Sequence, residues 1–372
     1  MLPGTAPPPV KSFAQGTSPY PVPIQGPGGP LTAAATGGNT SVLTPIPKSG
    51  FLAGLRYAVT GTLTVGTIAS ANYTVPLWRL FGNYTVQNSL NYPYRSLSGD
   101  DVREWARVTN PAGANDPIVN SYTFASPTMT ALATVPFSFT FFDPIAQNDG
   151  VNFSRYLLSA MTTSNDLSVL VTWLAQGNLA QLQQNGAVIS SYTATAAVSA
   201  EYLTVPDPTK YAWPRRSLVQ QVVGDPSYNT PAIGLNVVNL TPIQGPEYTG
   251  LGIQVMGANG VLDPLTLANS AVQEIDIYVN GTIPLYQFTL ADILQKYEQL
   301  FQRPCANGYL YLDFTSDLSI PNVMSHTHRK VLSTSKYSQI SVRVTLNNKF
   351  TAGAGARIGL LKRTQQSYAN NQ

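Results

Sequence analysis

Gly54-Leu55-Arg56-Tyr57-Ala58-Val59-Thr60-Gly61 recurs, loosely, as Gly250-Leu251-Gly252-Ile253-Gln254-Val255-Met256-Gly257, with Gly, Leu, Val and Gly at matching places. Each copy reads as a short strand that opens a long β-rich section and closes on a turn-forming glycine. Behind each copy the same order of elements follows: further strands, one short helix, then a strong strand. After the first copy the helix is read at Phe153-Ser154-Arg155-Tyr156-Leu157-Leu158 and the strand at Asp166 to Trp173. After the second they are read at Phe288-Thr289-Leu290-Ala291-Asp292-Ile293-Leu294 and at Gly308 to Phe314. A repeated motif with a repeated order of elements behind it predicts two similar all-β domains in one chain.

The 372 residues are enough for two separate cores. Only 10% of them are charged, against roughly a quarter in ordinary soluble domains. The hydrophobic fraction, 43%, is ordinary, so neutral polar residues, Gly and Pro stand where charge is missing. Disorder throughout is excluded, because 20 Tyr, 13 Phe and 4 Trp need burial. A surface so short of charge lacks the usual protection against association, which suits a protein buried between subunits. The net charge of +3 is too small to imply a nucleic-acid partner. One cysteine, Cys305, excludes an intrachain disulfide and a cysteine-based zinc cluster. No stretch offers the roughly 18 continuous apolar residues of a membrane span. Met1-Leu2-Pro3-Gly4 has neither the basic nor the apolar region of a signal peptide.

Along the chain, residues 1–47 read as a Pro/Gly-rich arm whose prolines leave no room for a helix or a paired strand. The arm reads as either disordered or an extended strap over another surface, and its near-absence of charge favours a strap that orders on assembly. A first domain is expected over 48–205, a Pro-punctuated linker over 206–217, a second domain over 218–365 and a polar tail over 366–372. In the first domain Phe51 to Val65 and Tyr73 to Val86 read as strands, the latter with Trp78, Leu80 and Tyr84 alternating on one side. A short helix is expected at Gly99 to Ala106, with Ser98 and Asp101 spaced as a capping box. The aromatic run Pro136 to Phe142 is expected to be a strand stopped by Asp143-Pro144. In the second domain Ile275 to Val279 alternates and ends at Asn280-Gly281, a hairpin signal. Leu290 to Phe301 is the best helix, with Thr289 as its cap and Pro304 as its stop. Short strands with Gly/Pro turns suggest sandwiches or jelly rolls.

Little in the sequence offers catalytic chemistry. His326 and His328, the only histidines, stand at alternate positions, which on a strand would point them one way as metal ligands, but Arg329 and Lys330 beside them repel a cation. A solvated loop is the better reading. No Gly-x-Ser-x-Gly elbow exists, and Cys305 just past a helix end reads as a packed thiol. Asp100, Asp101 and Glu104 cluster where acids complement a helix N-terminus. Glu274 and Asp276 share a strand face and read as solvated. Gly353-Ala354-Gly355-Ala356-Arg357-Ile358-Gly359 lacks the spacing of a dinucleotide loop and reads as a turn. Arg357, Lys362 and Arg363 read as an exposed strand end rather than a phosphate- or membrane-facing patch. No catalytic, cofactor-binding or metal residue is therefore assigned, and the chain is not read as an enzyme.

Taken together, the duplicated β domain, the helix-strand unit late in each half, the neutral surface and the proline-rich arm resemble one family. The chain looks like a double-jelly-roll major capsid protein of the tectivirus and adenovirus-hexon lineage. The likeness is carried by Gly50-Phe51-Leu52, by Asp166-Leu167-Ser168-Val169-Leu170-Val171, by Gly308-Tyr309-Leu310-Tyr311-Leu312-Asp313 and by Val342 to Leu361. It spans roughly residues 45–365 and lies in the order of elements, not in a signature motif. The resemblance implies a homotrimer whose six jelly rolls form a pseudo-hexagonal capsomer of an icosahedral shell. It also implies penton and minor capsid proteins as partners, an internal membrane around double-stranded DNA, and a place in the virion, as in a bacteriophage, after assembly in the host cytoplasm or nucleus. It implies no cofactor and no sequence-specific nucleic-acid binding. Family members often begin with a helix-forming arm, which the prolines exclude here. The competing readings are a β-sandwich carbohydrate-binding or virion spike protein, and a glycosidase using acids such as Glu274 or Asp101.

Overall fold

Side-chain alternation sets most of the strands, since residues two apart share a face. The computed structural model describes residues 18–24, 31–32, 43–66, 73–109, 121–124, 133–145, 158–159, 166–175, 178–179, 182, 189–204, 218–228, 230–240, 247–301, 304–305, 308–314, 332–333, 337 and 339–367. The first half comprises β1 (Pro19–Ile24), β2 (Leu31–Thr32), β3 (Thr44–Pro45), β4 (Phe51–Val65), β5 (Tyr73–Pro76), β6 (Phe81–Asn88) and β7 (Pro93–Leu97). Helix α1 (Gly99–Thr109) follows, then β8 (Ser121–Phe124), β9 (Ala133–Pro144), β10 (Leu158–Ser159), β11 (Leu167–Trp173) and β12 (Ile189–Leu203). The second half comprises β13 (Leu218–Tyr228), β14 (Gly234–Leu240), β15 (Glu247–Met256), β16 (Val272–Val279) and β17 (Ile283–Thr289). Helix α2 (Leu290–Phe301), β18 (Tyr309–Asp313), β19 (Leu332–Ser333), β20 (Ile340–Leu346) and β21 (Arg357–Ser367) complete it.

The two halves have the same topology. In the first, β4 lies between β12 and β9 and also meets β10, while β1 lines the far side of β12. In the second, β15 lies between β21 and β18 and also meets β19, while β13 lines the far side of β21. The facing sheets run β3-β11-β6-β7 and β14-β20-β16-β17. Each helix follows the hairpin that ends its facing sheet. The molecule is all-β, a double jelly roll. Two apolar clusters fill it, one around Tyr57, Phe81, Phe141 and Trp173 and the other around Ile253, Ile277, Leu310 and Val342.

The repeated motif sits on equivalent strands, β4 and β15: Gly54 opposes Pro144 at the end of β9, and Gly250 opposes Asp313 at the end of β18. The unit behind it pairs differently from the sequence expectation. The counterpart of α2 is α1, and Leu167–Trp173 joins the facing sheet beside β6, where its counterpart is β20. Order along a chain does not say which sheet a strand enters. Of the helix expected at 153–158, residues 153–157 lie outside the described residues and Leu158 is in β10.

Two further expectations change. Trp78 and Leu80 do not alternate along a strand but are both buried in a 3-10 turn, Leu77–Leu80, between β5 and β6. The arm does supply paired strands: β1 and β2 on β12, and β3 on β11. The Thr204 N–H to Ser18 carbonyl bond sets the phase of the β1 ladder, so Tyr20, Val22 and Ile24 exchange bonds with β12. Pro19, Pro21 and Pro23 then fall where a backbone N–H would point to the open side. Proline is tolerated at an edge for this reason, and it leaves that edge without donors. Apart from Ser18, Leu43, Ile46 and Pro47, which flank these strands, the rest of the arm lies outside the described residues.

Candidate functional site: the junction between the rolls

The two rolls meet on α1. Its start is fixed by a reciprocal cap: the Ser98 N–H and Oγ–H donate to Asp101 at 2.9 and 2.6 Å, and the Asp101 N–H donates back to Ser98 Oγ. The helix carries Asp100, Asp101, Arg103, Glu104 and Arg107, and all but Arg103 are buried. A helix with charge on this many sides normally faces water unless other groups satisfy it. Here the second roll contributes much of that satisfaction. Tyr309 Oη donates to Asp101, Tyr297 Oη donates to Glu104 at 2.9 Å, and Arg107 donates to the Pro304 carbonyl at 2.6 Å. Asp100 instead serves its own roll, accepting from Trp78 Nε1 at 2.9 Å and Arg79 Nε at 3.0 Å.

These partners set the acids apart. Burial pushes Asp101 up, only partly offset by bonds from Ser98 and Tyr309. Burial works the same way on Asp100, but the Arg79 charge and the bonds from Arg79 and Trp78 outweigh it and hold the carboxyl below its usual range. Burial and the neighbouring Asp101 push the Tyr309 hydroxyl well up, so it stays a donor.

A second ionic unit lies against the helix. Arg95, 0% exposed, donates to Asp143 at 3.1 Å and to the carbonyls of Tyr94 and Pro144. Tyr84 Oη and Trp105 Nε1 donate to the same carboxylate. Burial pushes Asp143 up, while burial and nearby Arg363 pull Arg95 down to about 9. Three donors converging on Asp143 favour its charged form. Asp143 therefore does not merely stop a strand; it anchors β9 to β7 and α1.

Backbone pairing extends across the junction. β7 and β13 run parallel, with Val222 opposite Arg95 and Val223 opposite Ser96, making one sheet of nine strands from both rolls. Gly224 passes so close to Asp101 that any Cβ there would strike its carboxylate. Beside this contact a cavity of about 290 Å³ is lined by Ser98, Asp101, Asp225, Gln254 and Arg357.

Arg357, Lys362 and Arg363, expected as an exposed strand end, are drawn into this region. Lys362 pairs with Asp225, Arg363 approaches Asp313 at 3.7 Å, and Arg357 donates to Gln254 at 3.2 Å. All three lie on β21, which is flanked by β13 and β15 and so is an interior strand, not an exposed end. Cys305 packs at the same junction, its thiol pushed up by burial and then by Glu104, which lowers its reactivity. Glu274 and Asp276 lie on one face of β16, opposite Thr345 and Arg343 of β20; Glu274 is exposed and Asp276 is buried. His326 and His328 lie outside the described residues. Among the described residues no group of three or more His, Cys, Asp or Glu is placed to hold a metal. The junction's acids are committed to donors, and its chemistry is that of holding two bodies together.

Sequence reading missed Tyr297, Tyr309 and the Arg95–Asp143 pair. One signal for the junction was available: α1 has too little apolar surface for an ordinary packed helix, the mark of one bridging between bodies.

No protein-family model matches the chain, and no curated protein matches it. Solved structures do. The major capsid protein of STIV, the Sulfolobus Turreted Icosahedral Virus, is similar with a TM-score of 0.62 at 14% identity, over 95% of this chain and 98% of that one. The major capsid protein P2 from Bacteriophage PM2 is similar with a TM-score of 0.54 at 11% identity, over 95% and 99%. The Faustovirus major capsid protein gives 0.55 at 11% identity, over 99% and 92%. At these identities the likeness is one of fold, and its coverage takes in both rolls.

Proposed function

We propose that the chain is a major capsid protein, a structural subunit that associates with copies of itself to tile an icosahedral virion shell. The observation that carries this reading is end-to-end coverage: the likeness spans 95% of this chain and 98% of the STIV protein. A function that needs only shape requires a rigid subunit, and the junction supplies rigidity through buried hydrogen bonds between the rolls and a shared sheet. In this reading the rolls are 48–205 and 218–365, joined by 206–217, with 1–47 as a strap and 366–372 as a tail. Three chains form a pseudo-hexagonal capsomer, because two similar rolls per chain let a three-fold assembly fill a nearly six-fold place. Vertex and minor capsid proteins and an internal membrane are its partners in the virion, after assembly in the host cell. Size-exclusion chromatography with light scattering, followed by negative-stain imaging, tests the proposal. We expect a stable trimer with a hexagonal outline; a monomer with no tendency to associate overturns it.

A further inference from the structure

Of the cations that β21 brings to the junction, Lys362 pairs with Asp225 and Arg363 approaches Asp313. Arg357 has no such acid among the described residues. Its charge reaches Asp100 only as the last of several influences on that carboxyl, which Arg79 already holds. One nitrogen of its guanidinium, Nη2, donates to Gln254 Oε1 at 3.2 Å, while the buried Nε meets no acceptor. Gln254 repeats the shortage. It is 2% exposed, its oxygen accepts from Arg357, and its Nε2 is likewise buried without an acceptor. A buried donor left unpaired forfeits its hydration with nothing in return, so two of them side by side call for one shared acceptor.

Both side chains line the cavity of about 290 Å³ at the junction, and pockets for small molecules begin at roughly 300 Å³. Its wall is polar and comes from both rolls, with Ser96 and Ser98 facing Gln254 and Arg357. The two acids in the wall do not serve Arg357. Asp101 accepts from Ser98 and Tyr309, and Asp225 holds Lys362. The cavity therefore offers a cation and donors, and what it lacks is an acceptor.

We propose that this cavity binds a small oxyanion, a phosphate or carboxylate group, held by the Arg357 guanidinium and the Gln254 amide. A guanidinium presents a planar fork of N–H donors that matches two oxygens of such a group. A bound oxyanion would touch both rolls and brace them, since a ligand held only by the folded chain stabilises it. The site lies within one chain, so it does not depend on self-assembly.

Isothermal titration calorimetry of the full chain with inorganic phosphate, at constant ionic strength in chloride, tests it. We expect saturable binding of one phosphate per chain. Affinity should fall about tenfold or more in Arg357→Gln and in Gln254→Met, as loss of a bond to a charged group requires. Circular dichroism in phosphate-free buffer checks that each variant folds, and either folded variant suffices. Phosphate also stabilises proteins without occupying a site, so the readout is the difference between parent and variant. Arg56→Gln, which removes a cation with a 57% exposed side chain, should leave the affinity unchanged. Acetate that displaces phosphate places carboxylates among the ligands; acetate without effect confines the site to phosphoryl groups. Absence of saturable binding, equal affinity in parent and variants, or an equal loss in Arg56→Gln overturns the site.

Discussion

Asp100 shows how one side chain carries a pH dependence. Arg79 and Trp78 hold its folded carboxyl below the usual range in spite of burial, whereas an unfolded Asp titrates near 3.9. A depressed folded value means that the stabilisation is complete above about pH 3.9 and drains away as pH falls through the folded value. The urea midpoint of the parent protein should therefore drop more steeply between pH 6 and pH 3 than that of Asp100→Asn, measured by fluorescence. Equal slopes would remove Asp100 from the acid response. The sequence showed the acids of α1 as a cluster and assigned them to the helix N-terminus. That holds for Asp101, which completes the cap, but its bond to Tyr309 spans 208 residues. No local pattern encodes a partner so distant. A separation of 48 residues likewise hid Arg95 and Asp143, since a lone Arg and a lone Asp on separate strands carry no spacing to read.

At the scale of elements the local rules read well. The run read at Phe51 to Val65 is β4, alternation placed β16, the cap residues Ser98 and Thr289 placed both helices, and Asn280-Gly281 takes the positive φ values, 50° and 79°, of the expected hairpin turn. What local rules do not carry is partnership. Leu167–Trp173 is as good a strand in either sheet, and only packing assigns it. The arm fails for a related reason: proline excludes a strand from a sheet's middle, not from its edge. That distinction can be measured. Val22→Pro removes an N–H directed at β12, a bond worth about 1 kcal/mol, and adds a ring against the neighbouring strand. Amide exchange at Val198 and Ala200 should accelerate. Pro21→Ala, which alters only the outward side, should leave that exchange unchanged.

At the scale of the molecule the rolls are not independent bodies. Tyr297, Tyr309, Tyr311 and Leu361 of the second half pack into the cluster centred on the first. Buried charge makes the arrangement exacting, because removing one partner of a buried pair strands the other. Gly224 is a point of close approach at the junction. Gly224→Ala drives a methyl group into the Asp101 carboxylate and should cost about 1–3 kcal/mol by urea unfolding, as overpacking does. An unchanged midpoint would show that the junction gives way without strain. The double roll itself was legible, because a duplicated motif survives in the sequence. The junction was not, because it is built from groups that each look ordinary alone.

The proline-studded strand β1 also bears on how the chain is made. During synthesis residues 19–24 leave the ribosome early, yet their partners in β12 are residues 198–203. The first roll therefore closes by fastening its oldest segment with one of its newest, and long-range pairing of this kind is slow. Until then the arm's free side offers no N–H groups at Pro19, Pro21 and Pro23 to a neighbouring nascent chain. Across the roll, Asp101 and Glu104 face water until Tyr297 and Tyr309 are translated. A polysome crowded with half-finished copies would thus present carboxylates and proline at the two places where an unfinished sheet protein is most prone to stick.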